Sequence, residues 1–285
     1  MKCFYHSADF DGHCSGAIIK HKYPECTMVG IDYGDDFPWD TIGVGEKVFM
    51  VDFSLQPYPE MRKLDIVSDP LIWIEHHKAA IEEHEEWLKA GNGSILGIQE
   101  IGKGACQLVW EYLHPDKPIP RAVKLLADYD VWKLDDPDTL PFQWGLRQYA
   151  TEPKEQYLWC SLFEFQGLNP LDEIIKEGNI ILNYVGSSNR RYCELNAVEI
   201  DLDGLHCIAL NLGKPFINSQ AFKSIWSRNT TYYDAMLGFV WKKNTWEVNL
   251  YTDKDNIDLS IIAKNRGGGG HKQAAGFQCK ELPWK

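Results

Sequence analysis

The feature that most constrains this chain is an alternation over its first quarter. Short β-rich runs are each followed by a turn or a helix-like run. Lys2–Tyr5, Thr27–Ile31, Lys47–Phe53 and Leu71–Ile74 read as strands. Ser15–Tyr23, ended by Pro24, and Pro57–Leu64, with Pro near its first turn, read as helices. The apolar run Leu71–Ile74 suits a strand buried on both faces. Such alternation predicts an α/β fold, with a mainly parallel sheet flanked by helices.

In sheets of this kind, ligands bind beyond the carboxyl ends of the strands. Three polar clusters fall there: His6, Asp9 and Asp11 after the first strand, Asp52 after the third, and Glu75-His76-His77 after the fourth. Asp9 and Asp11 are two apart, so in an extended segment they would point to one side. Imidazole and carboxylate together suit a divalent ion such as manganese. Each cluster also has a plain structural reading: a polar turn at His6–Gly12, a cap before Pro57 at Asp52, and the start of helix Lys78–Lys89 at His76 and His77. Their equivalent places at strand ends favour one composite site.

Helices are expected at Lys78–Lys89, Ala105–Leu113 and Ala122–Asp128. Asp128 and Asp130 lie against Tyr129 and Trp132, and a half-buried carboxylate there needs a partner or an ion. Leu171–Glu199 reads as a long bridging helix. From residue 197 the pattern turns β-rich, with strands at Ala197–Leu202, His206–Leu210, Ala235–Trp241 and Thr245–Tyr251 and a helix at Asp258–Lys264. The run Arg266-Gly267-Gly268-Gly269-Gly270-His271 follows. Four consecutive glycines let backbone N–H groups approach a ligand closely, so phosphate or nucleotide binding is favoured over a bare linker.

Length, at 285 residues, suggests two domains. The segments expected are a metal-binding domain at 1–160, a linker helix region at 161–196 and a smaller α/β domain with a mixed sheet at 197–285. The formal net charge of −12 and the lack of a basic stripe argue against a long nucleic-acid track, though not against a short phosphorylated ligand held through cations. No apolar run approaches the roughly 18–20 residues of a membrane helix, and no signal-peptide pattern opens the chain. The eight scattered cysteines suit reduced thiols in a cytoplasmic protein.

Over essentially its whole length the chain resembles the DHH-family phosphoesterases that carry a DHH-associated C-terminal domain, the oligoribonuclease-like members among them. The motifs that carry the resemblance come in the family's order: His6-x-x-Asp9-x-Asp11-Gly12, the lone Asp52, Glu75-His76-His77, Gly104–Leu113, and Gly268-Gly269-Gly270-His271-x-x-Ala274-Ala275-Gly276. The resemblance implies two divalent ions, usually manganese, with magnesium or cobalt as alternatives. His6, Asp9 and Asp52 would hold one. Asp11, a bridging Asp52, His76 and Asp128 would hold the other, with Asp130 competing for the last place. His77 would sit near the scissile phosphate, and Asp52 and Asp11 would complete the catalytic set. Arg266, Gly268, Gly269, Gly270 and His271 would bind substrate alongside His77.

The family's members include hydrolases of short RNA and oligonucleotides, single-strand exonucleases, cyclic-dinucleotide phosphodiesterases and pyrophosphatases. The implied activity is phosphodiester hydrolysis in short oligonucleotides or linear dinucleotides. The rivals are a pyrophosphatase, exopolyphosphatase or phosphoadenosine-phosphate phosphatase, and a nucleotide-binding module with weakened catalysis. A homodimer is an expected assembly. Two departures stand out. Glu75 occupies the position of the name-giving Asp, and Val248–Thr252 lacks the arginine that some relatives carry in this strand.

Overall fold

The alternation is realised in the computed structural model, which describes residues 1–164, 170–213, 219–222 and 232–284. These fall into two units, Met1–Ile181 and Leu182–Lys285. In the first, strands β1 (Lys2–His6), β2 (Thr27–Ile31), β3 (Glu46–Val51), β4 (Ser68–Glu75) and β5 (Leu96–Gln99) form a sheet of order β2-β1-β3-β4-β5. Every neighbouring pair is parallel. Seven helices accompany it: α1 (Phe10–Lys22), α2 (Pro59–Val67), α3 (Lys78–Lys89), α4 (Ala105–Leu113), α5 (Arg121–Asp130), α6 (Thr139–Leu146) and α7 (Gln156–Phe163). Helix α8 (Leu171–Asn196) contains the boundary between the units.

Successive strand residues face opposite sides, and both sides are covered. Tyr5, Val51 and Ile74 join a core with residues of α1, α4, α5 and α7. Phe4, Met50 and Trp73 join another with Met61 and Leu64 of α2 and Ala80 of α3. This double burial is why the strands read as near-unbroken apolar runs. Each such side chain contributes about 1.5–3 kcal/mol when fully buried.

Helices α6 and α7 are not among the expected elements, and three further departures bear on the sheet and the site. Helix α1 starts at Phe10 rather than Ser15, because Asp9 caps it: its carboxylate accepts the Gly12 N–H at 2.9 Å. The Asp9–Asp11 stretch is therefore a cap and first helical turn, and the extended geometry expected for it is not found. Helix α5 runs on to Asp130, two residues past its expected end. Strand β5 was not foreseen, being only four residues long with Gly97 at φ 129°.

The second unit holds β6 (Val198–Leu202), β7 (Leu205–Asn211), β8 (Ala235–Lys242), β9 (Thr245–Tyr251), helix α9 (Leu259–Lys264), β10 (Gly269–Gly270) and β11 (Ala274–Cys279). Its sheet has the order β10-β11-β9-β8-β7-β6. β7 and β8 run parallel and all other pairs are antiparallel, giving the expected mixed sheet. Among the described residues no helix is long and apolar enough to cross a membrane.

Candidate metal centre

From β1 the chain passes to β2 on one side, then crosses to β3 on the other. A crevice opens at such a reversal, beyond the carboxyl ends of the strands. His6 ends β1, Asp52 directly follows β3, and Glu75 ends β4 just before His76 and His77. The clusters expected to converge do so. His6 Nδ1 lies 3.0 Å from Asp9 Oδ2 and 3.6 Å from Asp52 Oδ2. His76 Nε2 lies 3.1 Å from Asp52 Oδ1, 3.3 Å from Asp130 Oδ2 and 3.8 Å from Asp11 Oδ2.

Local structure fixes these groups. Gly12 lets α1 pass directly over β1, since a Cβ there would stand 2.0 Å from the His6 carbonyl oxygen. Asp11 is held by the start of α4, its carboxylate accepting the Ala105 N–H at 2.6 Å and the Cys106 N–H at 2.8 Å. Asp52 sits at φ 56°, a region costing a non-glycine residue about 1–3 kcal/mol. Glu75, fully buried, turns the chain after β4: its Oε1 accepts the His76 N–H at 2.7 Å and the His77 N–H at 2.8 Å, and lies 2.6 Å from His77 Nδ1.

Of the two aspartates at the end of α5, the family resemblance favours Asp128 as the last ligand, with Asp130 competing. The structure brings Asp130 to the cluster instead, while Asp128 pairs with Lys124. Two helical residues advance about 200° around the axis, so the two carboxylates face opposite ways. With the helix ended at Asp128, this was not visible.

Whether these residues suit a metal is decided by their unpaired atoms. His6 Nδ1, both Asp52 oxygens, Glu75 Oε2 and His76 Nε2 are shielded from solvent and make no well-aligned hydrogen bond, although the histidine nitrogens lie 3.0–3.6 Å from the Asp9 and Asp52 carboxylates. Buried polar atoms are ordinarily bonded, so orphans facing one another leave room for a cation. Candidate ligand atoms gather in three groups: His6, Asp9 and Asp52; Asp52, Glu75, His76 and His77; and Asp11, His76 and Asp130. Asp52 and His76 each belong to two of them, so the groups adjoin.

The electrostatics agree. Burial, then Asp52, pushes Asp11 up to about 7. Burial, then Asp11, does the same to Asp130. The carboxylates of Asp52 and Asp9 raise His6 to about 11. Burial would lower His76, but Asp52 and Asp11 outweigh it and raise it to about 10. Crowded carboxylates thus take up protons from their surroundings, as a site does that is built for positive charge.

In the second unit half of the glycine run is sheet. Gly269 and Gly270 pair with Gly276 and Ala275. A Cβ on Gly268 would stand 2.1 Å from the Gly276 carbonyl oxygen, so close strand packing alone requires glycine there. A Cβ on Gly269 would meet nothing within 4 Å, and His271 is exposed. Both terminal nitrogens of Arg266 donate to Asp203, at 2.7 and 2.8 Å. Its role as an anion binder therefore competes with an ion pair already made.

The sequence reading missed a group beside His6. Asp32 Oδ1 lies 3.3 Å from His6 Nε2, and the rings of Tyr33 and Phe53 stand 5.6 and 6.0 Å from the imidazole. The available signal was the position of Asp32, directly after β2 and so at a fourth strand end.

No protein-family model matches the chain. It is similar to an uncharacterized protein of Acanthamoeba polyphaga mimivirus, 28% identical over an alignment 243 residues long that covers 81% of this chain and 53% of that protein. The chain thus spans about half the length of this relative. Among solved structures it is similar to a pGpG-specific phosphodiesterase from Vibrio cholerae, with a TM-score of 0.59, 13% identity and coverage of 98% of this chain and 92% of that one. It is also similar to the DHH domain of a member of the S1p family of ribosomal proteins, with a TM-score of 0.60, 13% identity and coverage of 98% and 82%. At these identities the likeness is one of fold.

Proposed function

We propose, from the premise that the chain has the fold of DHH-domain proteins, that it is a metal-dependent phosphoesterase of the DHH family. Its substrates in this reading are phosphodiesters of short oligonucleotides or linear dinucleotides. The observation that carries the reading is the set of orphaned imidazole and carboxylate atoms buried at the strand ends. His6, Asp9 and Asp52 would hold one divalent ion. Asp11, Asp52, His76 and Asp130 would hold its neighbour, with manganese the ion this donor set suits. When bound, such ions neutralise charge on phosphoryl oxygens and acidify water near neutral pH.

The remaining work falls to the chain itself. The Asp11 carboxylate is held by backbone N–H groups before any ligand arrives, which keeps its reorganisation small. His77 is partly exposed and its Nδ1 faces Glu75, leaving Nε2 to donate to a phosphoryl oxygen. Glu75 also raises the affinity of His77 for its proton, which favours the donor form. Glutamate in the position of the family's aspartate thus serves to orient the second histidine. In the second unit the Gly268 and His271 N–H groups already donate to the Ala263 and Ala274 carbonyls, so a phosphate there would rest on the exposed His271 imidazole, and Arg266 would join it only by leaving Asp203.

The test is direct. With manganese, the purified protein should release mononucleotides from labelled RNA of two to five residues, and Asp11→Ala or Asp52→Ala should abolish release. Turnover of pyrophosphate or polyphosphate alone would move the substrate to phosphoanhydrides. Nucleotide binding without turnover under any divalent metal would support a binding module with weakened catalysis.

A further inference from the structure

Beside His6 lies a hollow that the proposed chemistry does not use. It measures about 380 Å³ and is walled by Tyr33, Phe37, Trp39 and Phe53, with Asp32 and Asp36 at its polar side. This is within the roughly 300–1,000 Å³ typical of small-molecule sites. The Tyr33 and Phe53 rings lie 4.6 Å apart at 32°, and Phe37 and Trp39 lie 4.7 Å apart at 69°. Tyr33 and Phe53 also flank the His6 ring, so the hollow abuts the candidate metal centre.

We propose that this hollow is a nucleobase subsite selective for guanine. The proposal rests on the phosphoesterase reading, which places the substrate's phosphate at the neighbouring ligand cluster. Aromatic walls suit a flat ring, and stacking of this kind accepts any base. The carboxylates make the choice. They repel phosphate, and when ionised they only accept hydrogen bonds. Asp32 Oδ1 already accepts the Tyr33 N–H at 2.7 Å, and Asp35 Oδ2 accepts the Asp32 N–H at 2.9 Å. Glu60, the other carboxylate of the lining, pairs with Lys63 at 3.3 Å, whereas the exposed Asp36 carboxylate is engaged by no other described residue, so of the four lining carboxylates it is the one with both oxygens open to a base edge. Guanine offers two adjacent donors, N1–H and the N2 amine, which match one carboxylate. Adenine sets its N1 acceptor beside its amine and would face that carboxylate with a lone pair.

The test uses the full chain and bases with no phosphate attached. Ligand-observed NMR titration should show guanosine binding about tenfold or more tightly than adenosine. Asp36→Asn should bring that ratio close to one, and Tyr33→Ala should weaken both nucleosides. In the manganese-loaded protein, the pGpG-to-pApA ratio of kcat/KM should exceed one and collapse in Asp36→Asn. Equal nucleoside affinities, or a preference that survives Asp36→Asn, would overturn the subsite even if both dinucleotides are hydrolysed. Selective guanosine binding without hydrolysis of either dinucleotide would uphold the subsite and remove the phosphoesterase reading.

Discussion

Asp52 shows what one residue gives up for a site. It is almost fully buried, sits in the left-handed backbone region, and burial raises its pKa. Asparagine tolerates that backbone conformation and carries no charge. Asp52→Asn should therefore remove the stabilisation that manganese brings, and should lower the raised proton affinities of His6 and His76 in the metal-free protein, since Asp52 is a main cause of both. Thermal unfolding with and without manganese and NMR titration of the two imidazoles in chelator measure both halves; unchanged titration of His6 and His76 would contradict the second. Gly12→Ala tests the packing beneath His6. Its Cβ would fall 2.0 Å from backbone, which no side-chain adjustment relieves, so the loss should exceed the roughly 1–3 kcal/mol of ordinary overpacking and show as a large fall in unfolding temperature.

At the scale of elements, helix α5 separates two aspartates that sequence alone could not rank. Asp130→Asn should weaken manganese binding at least tenfold by calorimetry, whereas Asp128→Asn should change it less than about twofold, since an exposed pair with Lys124 is worth at most ~1 kcal/mol. The strands, the position of Asp52 and the triplet at the end of β4 were legible because apolar runs and polar strand ends leave a periodic trace. The end of α5 was not, because Tyr129 and Asp130 carry no stop signal. The glycine run misled for a related reason. Glycine serves both ligand approach and strand approach, and Gly268 is demanded by the latter. Helix α3 gives a pH test. Burial, then Arg62, holds His84 below the ordinary 6.5. The unfolded chain binds the proton first, so the stability that neutral His84 contributes above 6.5 is lost as pH falls. The advantage of wild type over His84→Gln in urea unfolding should therefore shrink between about pH 7.5 and pH 5.5.

For the whole molecule, the division into a ligand-rich parallel sheet and a separate mixed sheet predicts an uneven response to metal. Manganese at about 100 times its Kd should stabilise Met1–Ile181 by about 2.7 kcal/mol. Hydrogen exchange should slow in peptides from β1, β3 and β4 and remain unchanged in β6 to β9. Equal slowing throughout would contradict a centre confined to the first unit. The division itself was foreshadowed by the change from alternating to β-rich pattern near residue 197. The hollow beside His6 was hidden, because Tyr33, Phe37 and Trp39 lie between strands, where no period marks a wall.

The grip of α4 on Asp11 sets a rule for the connector Glu100–Gly104. Adding or deleting one residue there would swing the leading amides of α4 by about 100° and strip the Asp11 oxygens of both donors. Glu100, Ile101 and Lys103 are free to vary, but Gly104 is not, since a Cβ there would stand 2.6 Å from Ala127 Cα, and neither is the connector's length: insertions elsewhere in surface loops should be absorbed, while a single insertion here should disable a site formed mainly by other segments.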